Sequence, residues 1–289
     1  MKKFVLFILF LLIPLITVNA NQLIISHNNV NETIIREDFA LHTSTPLFIN
    51  EDKLDLLMKR IEEQVYEPPI NAKLDESWSI IPGKNGQALD KKRFKQFFYN
   101  YFYSDVSFQI KLPMKEEYPK VDSELLADIR MNEIGNYVTY YRQANKERSH
   151  NIKLAADAID NHVVFPGETF SFNHVVGKRT IEKGYKRAPV IVKGELSEDI
   201  GGGICQVSST LFNALLFNGI KIVERYSHSR DVPYVPPGKD ATVSWWGPDF
   251  VFRNELSHPI LIRAQAMEGK MIIRIFTSDS VQKKEELKS

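Results

Sequence analysis

Two stretches of the chain carry a clear helical period. After Asn50-Glu51-Asp52, apolar side chains fall at Leu54, Leu57, Met58, Ile61 and Val65, three and four residues apart. Acidic residues occupy the first turn and Pro68-Pro69 closes the pattern. Asp90 opens a second helix to Tyr103, with Phe94, Phe97, Phe98 and Tyr101 on one face. The intervening pattern is short and extended: Leu23-Ile24-Ile25 within loosely stranded residues 21–46, then Ile70 to Leu74, Trp78 to Ile81, and the alternating run Ser107 to Leu112. Pro82-Gly83-Lys84-Asn85-Gly86 is turn chemistry. Residues 47–113 therefore predict a small α+β domain behind an extension, 21–46. The charged stretch 114–122, with Pro119, predicts a linker.

From residue 123 to 278 the pattern changes. A helix capped at Ser149-His150-Asn151 and reaching Asn161 turns Ile152, Ala155, Ala156 and Ile159 inward. Strands are predicted at Thr169–Phe172, Ala188–Val192, Ile220–His228, Ala241–Trp246, Phe250–Arg253, Ile260–Ala266 and Met271–Phe276, with Glu268-Gly269 a hairpin turn. One helix interrupts them. It starts at Cys205, is apolar on nearly every face through Phe217, and meets a stop at Gly219, so it should be buried. The fold class expected is α+β: a small α+β N-terminal domain, then a mainly β C-terminal domain with a buried helix starting at the cysteine. Residues 279–289 form a charged tail.

Charge and the N-terminus narrow the setting. Met1-Lys2-Lys3 precedes an apolar run from Phe4 to Val18, and Val18-Asn19-Ala20 resembles a cleavage site. The run is about 15 residues, short of the roughly 20 that span a bilayer, so residues 1–20 read as a secretory signal peptide. An uncleaved anchor on the outer face of the cytoplasmic membrane is the alternative. Both place the working part outside the cytoplasm. The 289 residues carry 37 Lys+Arg against 36 Asp+Glu, a balance that offers no field for nucleic acid.

The candidate chemistry centres on Asp199-Ile200-Gly201-Gly202-Gly203-Ile204-Cys205-Gln206, which holds the only cysteine. A lone extracytoplasmic thiol has no internal disulfide partner, so it is an intermolecular bridge, a buried inert thiol or a reactive one. At a helix start, unpaired N–H groups and the dipole favour its thiolate. Flexible glycines let backbone N–H groups turn toward a ligand, as an oxyanion site for acyl transfer needs; Gly202, Gly203 and Gln206 are the candidates. A cysteine nucleophile needs a base. Of seven histidines, His228 ends the strand that directly follows the cysteine helix, and His174 is its rival. Asp231 and Asp240 could orient the base; spacing does not choose, and Asp240 is carried forward. Arg179, Arg225 and Arg230 could bind a carboxylate, and Tyr234 joins them as a substrate-side candidate. One cysteine with scattered histidines has no zinc-ligand spacing, and no cofactor is implied.

These residues also carry a resemblance. Asn151-Ile-Lys-Leu-Ala-Ala156, Phe165-Pro-Gly-Glu-Thr-Phe-Ser-Phe-Asn173, Val176-Gly-Lys-Arg-Thr180, Ile200-Gly-Gly-Gly-Ile-Cys-Gln-Val-Ser-Ser-Thr-Leu211, Tyr234-Val-Pro-Pro-Gly-Lys-Asp-Ala-Thr242 and Asp249-Phe-Val-Phe-Arg-Asn254 resemble the VanW family over about 150 residues. Pro68-Pro-Ile-Asn-Ala72 and Pro82-Gly-Lys-Asn-Gly-Gln-Ala-Leu-Asp90 resemble, more weakly, the peptidoglycan-binding domain often found ahead of it. The resemblance implies a wall-associated protein whose partners are peptidoglycan stem peptides and glycan. It implies Cys205 as the nucleophile of an L,D-transpeptidase or L,D-carboxypeptidase. A non-catalytic wall-binding accessory protein is the alternative.

Overall fold

The computed structural model describes residues 22–28, 30–41, 48–104, 106–192 and 195–279. The expected signal peptide and most of the charged tail lie outside them. Two units emerge, one of residues up to Ile70 with Lys84–Pro119, the other of Asn71–Gly83 with Lys120 onward. The fold is α+β, as expected.

In the first unit, helix α1 (Glu51–Val65) is capped by the Asn50 side chain and buries Leu54, Leu57, Met58, Ile61 and Val65. Helix α2 (Lys91–Phe102) is capped by Asp90 and buries Phe94, Phe98, Tyr101 and Phe102. Both follow the apolar periodicity and its Asx caps. They share a core with Leu23 and Ile25, which lie on the central strand of a three-stranded sheet, Val30–Ile35, Gln22–His27 and Phe108–Lys111. Residues 114–122 are not simply a linker. Met114–Glu117 pairs antiparallel with Gly86–Leu89, because its backbone groups complete that strand's ladder.

The second unit takes residues 71–83 from within the stretch expected to form the first domain. Ala72 N–H donates to Val121 O at 2.8 Å. Leu74 exchanges two hydrogen bonds with the Asn161 side chain, and the Trp78 and Phe276 rings meet edge to face at 5.0 Å. Ala72 and Leu74 join Val121, Leu126, Ile129, Leu261 and Phe276 in one buried cluster, roofed by α3 (Ser123–Ile129).

The larger core lies on a four-stranded antiparallel sheet, in the order Asn132–Tyr140, Lys270–Thr277, Ile260–Met267, His162–Val164. Helix α4 (Lys146–Ile159) packs on Ile260–Met267, and α6 (Ile204–Ala214) packs on the first two strands and on α4. Helix α4 begins four residues before the expected start, at the Asn145 cap. Short α5 (Phe172–Val176) follows strand Thr169–Ser171, which pairs with Val251–Asn254 and, beyond it, Ile220–Glu224. Strand Arg187–Val192 forms a hairpin with Glu195–Ile200. Two further expectations change. Ile220 stops being strand at Glu224 rather than His228, and Ala241–Trp246 is not a strand. Only a bridge between Tyr226 and Thr242 remains, since polar side chains of α6 take the backbone groups that a ladder would use. The cysteine helix ends at Ala214, five residues short of Gly219.

Candidate active site

The triple glycine is required by close packing. Gly201 and Gly203 have φ of 89° and 107°, in the left-handed region. At Gly202 an added Cβ would fall 2.5 Å from the Ala188 carbonyl oxygen and 2.7 Å from that of Pro189. The turn thus lies directly against strand Arg187–Val192. Asn151, fully buried, fastens it. Its Nδ2 donates to the carbonyls of Gly202 at 3.0 Å and Lys186 at 2.8 Å. The turn delivers Cys205 to the second residue of α6, where the helix dipole favours an anion.

The other wall of the site is residues 239–243, and α6 holds it with polar side chains. Ser208 Oγ donates to Ala241 O at 2.6 Å, Ala241 N–H donates to Ser209 Oγ at 2.9 Å, and Asn213 Nδ2 donates to Lys239 O at 2.6 Å. Cys205 Sγ consequently sits 3.5 Å from Val243 O and 3.7 Å from Thr242 Oγ1. Thr242 N–H donates to Tyr226 O at 2.8 Å, which brings His228 alongside.

His228 Nδ1 lies 2.6 Å from Asp240 Oδ2, and the same oxygen accepts the His228 backbone N–H at 2.6 Å. A carboxylate only accepts, so Nδ1 carries the proton and Nε2 is the nitrogen left to act on the Cys205 side chain. Burial pushes the Cys205 thiol up, but its interactions with His228, Val243 and Thr242 together outweigh it and the pKa is lowered. Burial pushes His228 down, yet its bonds to Cys205 and Asp240 leave its pKa raised. Burial also opposes the Asp240 charge, and the His228 backbone and ring bonds hold it below the usual carboxylate range. The three groups therefore favour a thiolate, an imidazolium and a carboxylate in series.

Two arginines feel the charge of the thiol. Arg148 donates through Nη2 to Gln206 Oε1 at 2.8 Å. Arg179 lies over the Phe172 ring at 5.9 Å. Burial lowers the pKa of each, and the Cys205 charge acts on both. Tyr234 is half-buried. Burial, then the charge of Cys205, raises its phenol against the opposing bond to Ser209, so it stays protonated.

The structure brings together Cys205, His228, Asp240, Gly202, Gly203, Arg179 and Tyr234. It reassigns others. Gln206 N–H is donated to Gly203 O at 3.0 Å and its side chain to Thr139 Oγ1 and Tyr140 O, so it does not line an oxyanion site. Arg225 spends its guanidinium on Asp240 O, Gly238 O and Ser227 Oγ, and stacks on Phe212 at 4.7 Å. It holds the Asp240 loop rather than a ligand. Arg230 and Asp231 are exposed. His174 is exposed on α5, with its backbone N–H on Ser171 Oγ. Arg148, Asn151 and the Ser208-Ser209 pair were given no part in the site from the sequence. The hydroxyls in an otherwise apolar helix were the available signal. Among the described residues no cluster of three or more His, Cys, Asp or Glu could hold a metal ion, and no helix is long and apolar enough to cross a membrane.

The same region is the one that matches known proteins. Residues 147–276 match the model of the family described as VanW like protein. The chain is 56% identical over 249 residues to the uncharacterized protein YoaR of Bacillus subtilis, covering 86% of this chain and 82% of that one. It is 31% identical over 137 residues to the vancomycin B-type resistance protein VanW of Enterococcus faecalis, covering 46% of this chain and 50% of that one. No solved structure matches. With the matched region spanning the glycine turn, Cys205, His228 and Asp240, the chain belongs to the VanW family.

Proposed function

We propose that the protein is an exported cysteine acyl-transferase acting on peptidoglycan stem peptides, with L,D-transpeptidase chemistry. The carrying observation is the series Cys205–His228–Asp240 at the start of a buried helix. The Cys205 thiolate attacks the carbonyl carbon between the third and fourth stem residues. The tetrahedral intermediate collapses, His228 gives its proton to the departing amine, and a thioester remains. An amine from a second stem then attacks, His228 accepts its proton, and the thiolate is released with a cross-link formed. Water in place of the amine makes the same site a carboxypeptidase. The Enterococcus faecalis relative is a vancomycin B-type resistance protein, which supports this reading, and in it the first unit holds glycan.

Incubation with purified stem tetrapeptide, followed by mass spectrometry of the intact protein, tests the reading. The expected result is a covalent acyl adduct on Cys205, absent in Cys205→Ala. An unmodified Cys205 under conditions where the protein pellets with wall would favour a binding role and overturn the catalytic one.

A further inference from the structure

The Arg179 guanidinium is a buried charge left open. Both Nη1 and Nη2 are buried without a hydrogen-bond partner. Buried ions are ordinarily paired, because desolvation without a partner costs several kcal/mol. The nearby carboxylate, Asp249, is already engaged: it accepts Ser171 Oγ at 2.5 Å, Asn173 N–H at 2.8 Å and Phe250 N–H at 2.7 Å. The stem of Arg179 is fixed by the glycine turn, since an added Cβ on Gly201 would lie 3.2 Å from both its Cβ and its Cγ. Arg148 packs the same way at Gly203, 2.9 Å from its Cγ to the position an added Cβ would take. Arg148 has found only the neutral Gln206 side chain.

We propose that Arg179, with Arg148 adding to the field, binds a ligand carboxylate beside Cys205. A guanidinium fork with both Nη atoms free is matched to a carboxylate, which it can grip through two parallel hydrogen bonds. Resting on the acyl-transfer reading above, the carboxylate is that of the departing C-terminal residue. The substrates are then peptides with a free C-terminus, and an internal peptide bond, which offers no carboxylate there, is excluded.

Haloacetates test this without any peptide chemistry. Iodoacetate and neutral iodoacetamide both react with the thiolate, so their rate ratio cancels the thiolate fraction. For the full chain, the iodoacetate to iodoacetamide ratio on Cys205 should exceed that of free glutathione about tenfold, the effect of one charge-assisted hydrogen bond. Iodoacetate should saturate. N-acetyl-D-alanine should protect and its amide should not. Arg179→Gln should return the ratio to that of glutathione, and Arg179→Lys should restore part of it. A wild-type ratio equal to glutathione's, or a high ratio surviving in folded Arg179→Gln, overturns the assignment. Should the glutamine variant not fold, the wild-type ratio and the protection by acid over amide decide. Absence of an acyl adduct from the tetrapeptide would remove the proposed reaction yet leave this result standing, so the two failures are distinguishable.

Discussion

His228 Nδ1 and Asp240 Oδ2 meet at 2.6 Å, with side chains only 7% and 9% exposed. Asp231, three residues from His228, is exposed instead. The carboxylate that orients the ring is the one held from behind by Arg225 and by its own loop. Asp240→Asn removes the charge and leaves the ring free to place its proton on either nitrogen. Acyl transfer should fall about 10²–10⁴-fold, and the His228 pKa, followed by NMR, should drop. An unchanged His228 titration would show that the bond does not tune the ring.

His228→Ala should slow acylation and shift the alkylation curve of Cys205 to higher pH, because the hydrogen bond and charge that lower the thiol pKa are both lost. His174→Ala should do neither, since that side chain is exposed on α5. The reverse pattern in iodoacetamide kinetics would remove His228 from the site.

The pH profile has a definite sign. Cys205 is lowered and His228 raised, so the two are shifted toward a thiolate and an imidazolium. As pH falls through the Cys205 value, the nucleophile is protonated and the rate is lost. As pH rises through the His228 value, the proton needed by the departing amine is lost. Acyl transfer should be bell-shaped, with its acid limb below the ordinary thiol value of about 8.5 and its alkaline limb above the ordinary histidine value of about 6.5. Iodoacetamide needs no proton donor and should show the acid limb alone. A labelling midpoint at or above about 8.5 would contradict the thiolate assignment.

Gly202→Ala should destabilise the second unit by about 1–3 kcal/mol and suppress Cys205 labelling, because the new methyl meets two backbone carbonyls that cannot move independently. Thermal unfolding measures the first effect. Gly238→Ala is the control. That glycine has positive φ, which Gly202 does not, but an added Cβ meets nothing within 4 Å, so only local backbone strain is expected and labelling should persist.

A chain beginning at residue 120 should be markedly less stable than its second unit within the whole protein. It lacks Ala72, Leu74 and Trp78, which cover Leu261 and Phe276, and it strips Arg263 of its Asp75 carbonyl bond and its stacking on Trp78. Joining residues 71–83 to residues 120–289 through a short linker should recover the midpoint of denaturation. Equal midpoints with and without 71–83 would show that this segment contributes nothing.

The amino-acid sequence by itself determined the parts governed by near neighbours. The Asn50 and Asp90 caps, the apolar stripes of α1 and α2, the Glu268-Gly269 turn and the burial of the cysteine helix all follow from spacing within a few residues. Tertiary structure decided what depends on distant backbone. Residues 71–83 leave the first unit because their partners, Val121, Asn161 and Phe276, lie far along the chain. The run Ala241–Trp246 has a strand's composition, yet the backbone of Ala241 goes to Ser208 and Ser209 and that of Ser244 to Pro248. The same reason governs the site. Charge and type made Arg179, Arg225 and Arg230 equivalent in sequence, and packing separated them: Arg225 turned to the Asp240 loop, whereas Arg179 lies half-buried against the glycine turn with no hydrogen-bond partner at either Nη atom. A guanidinium's role is set by which acceptors reach it, and those acceptors come from segments that only folding brings near.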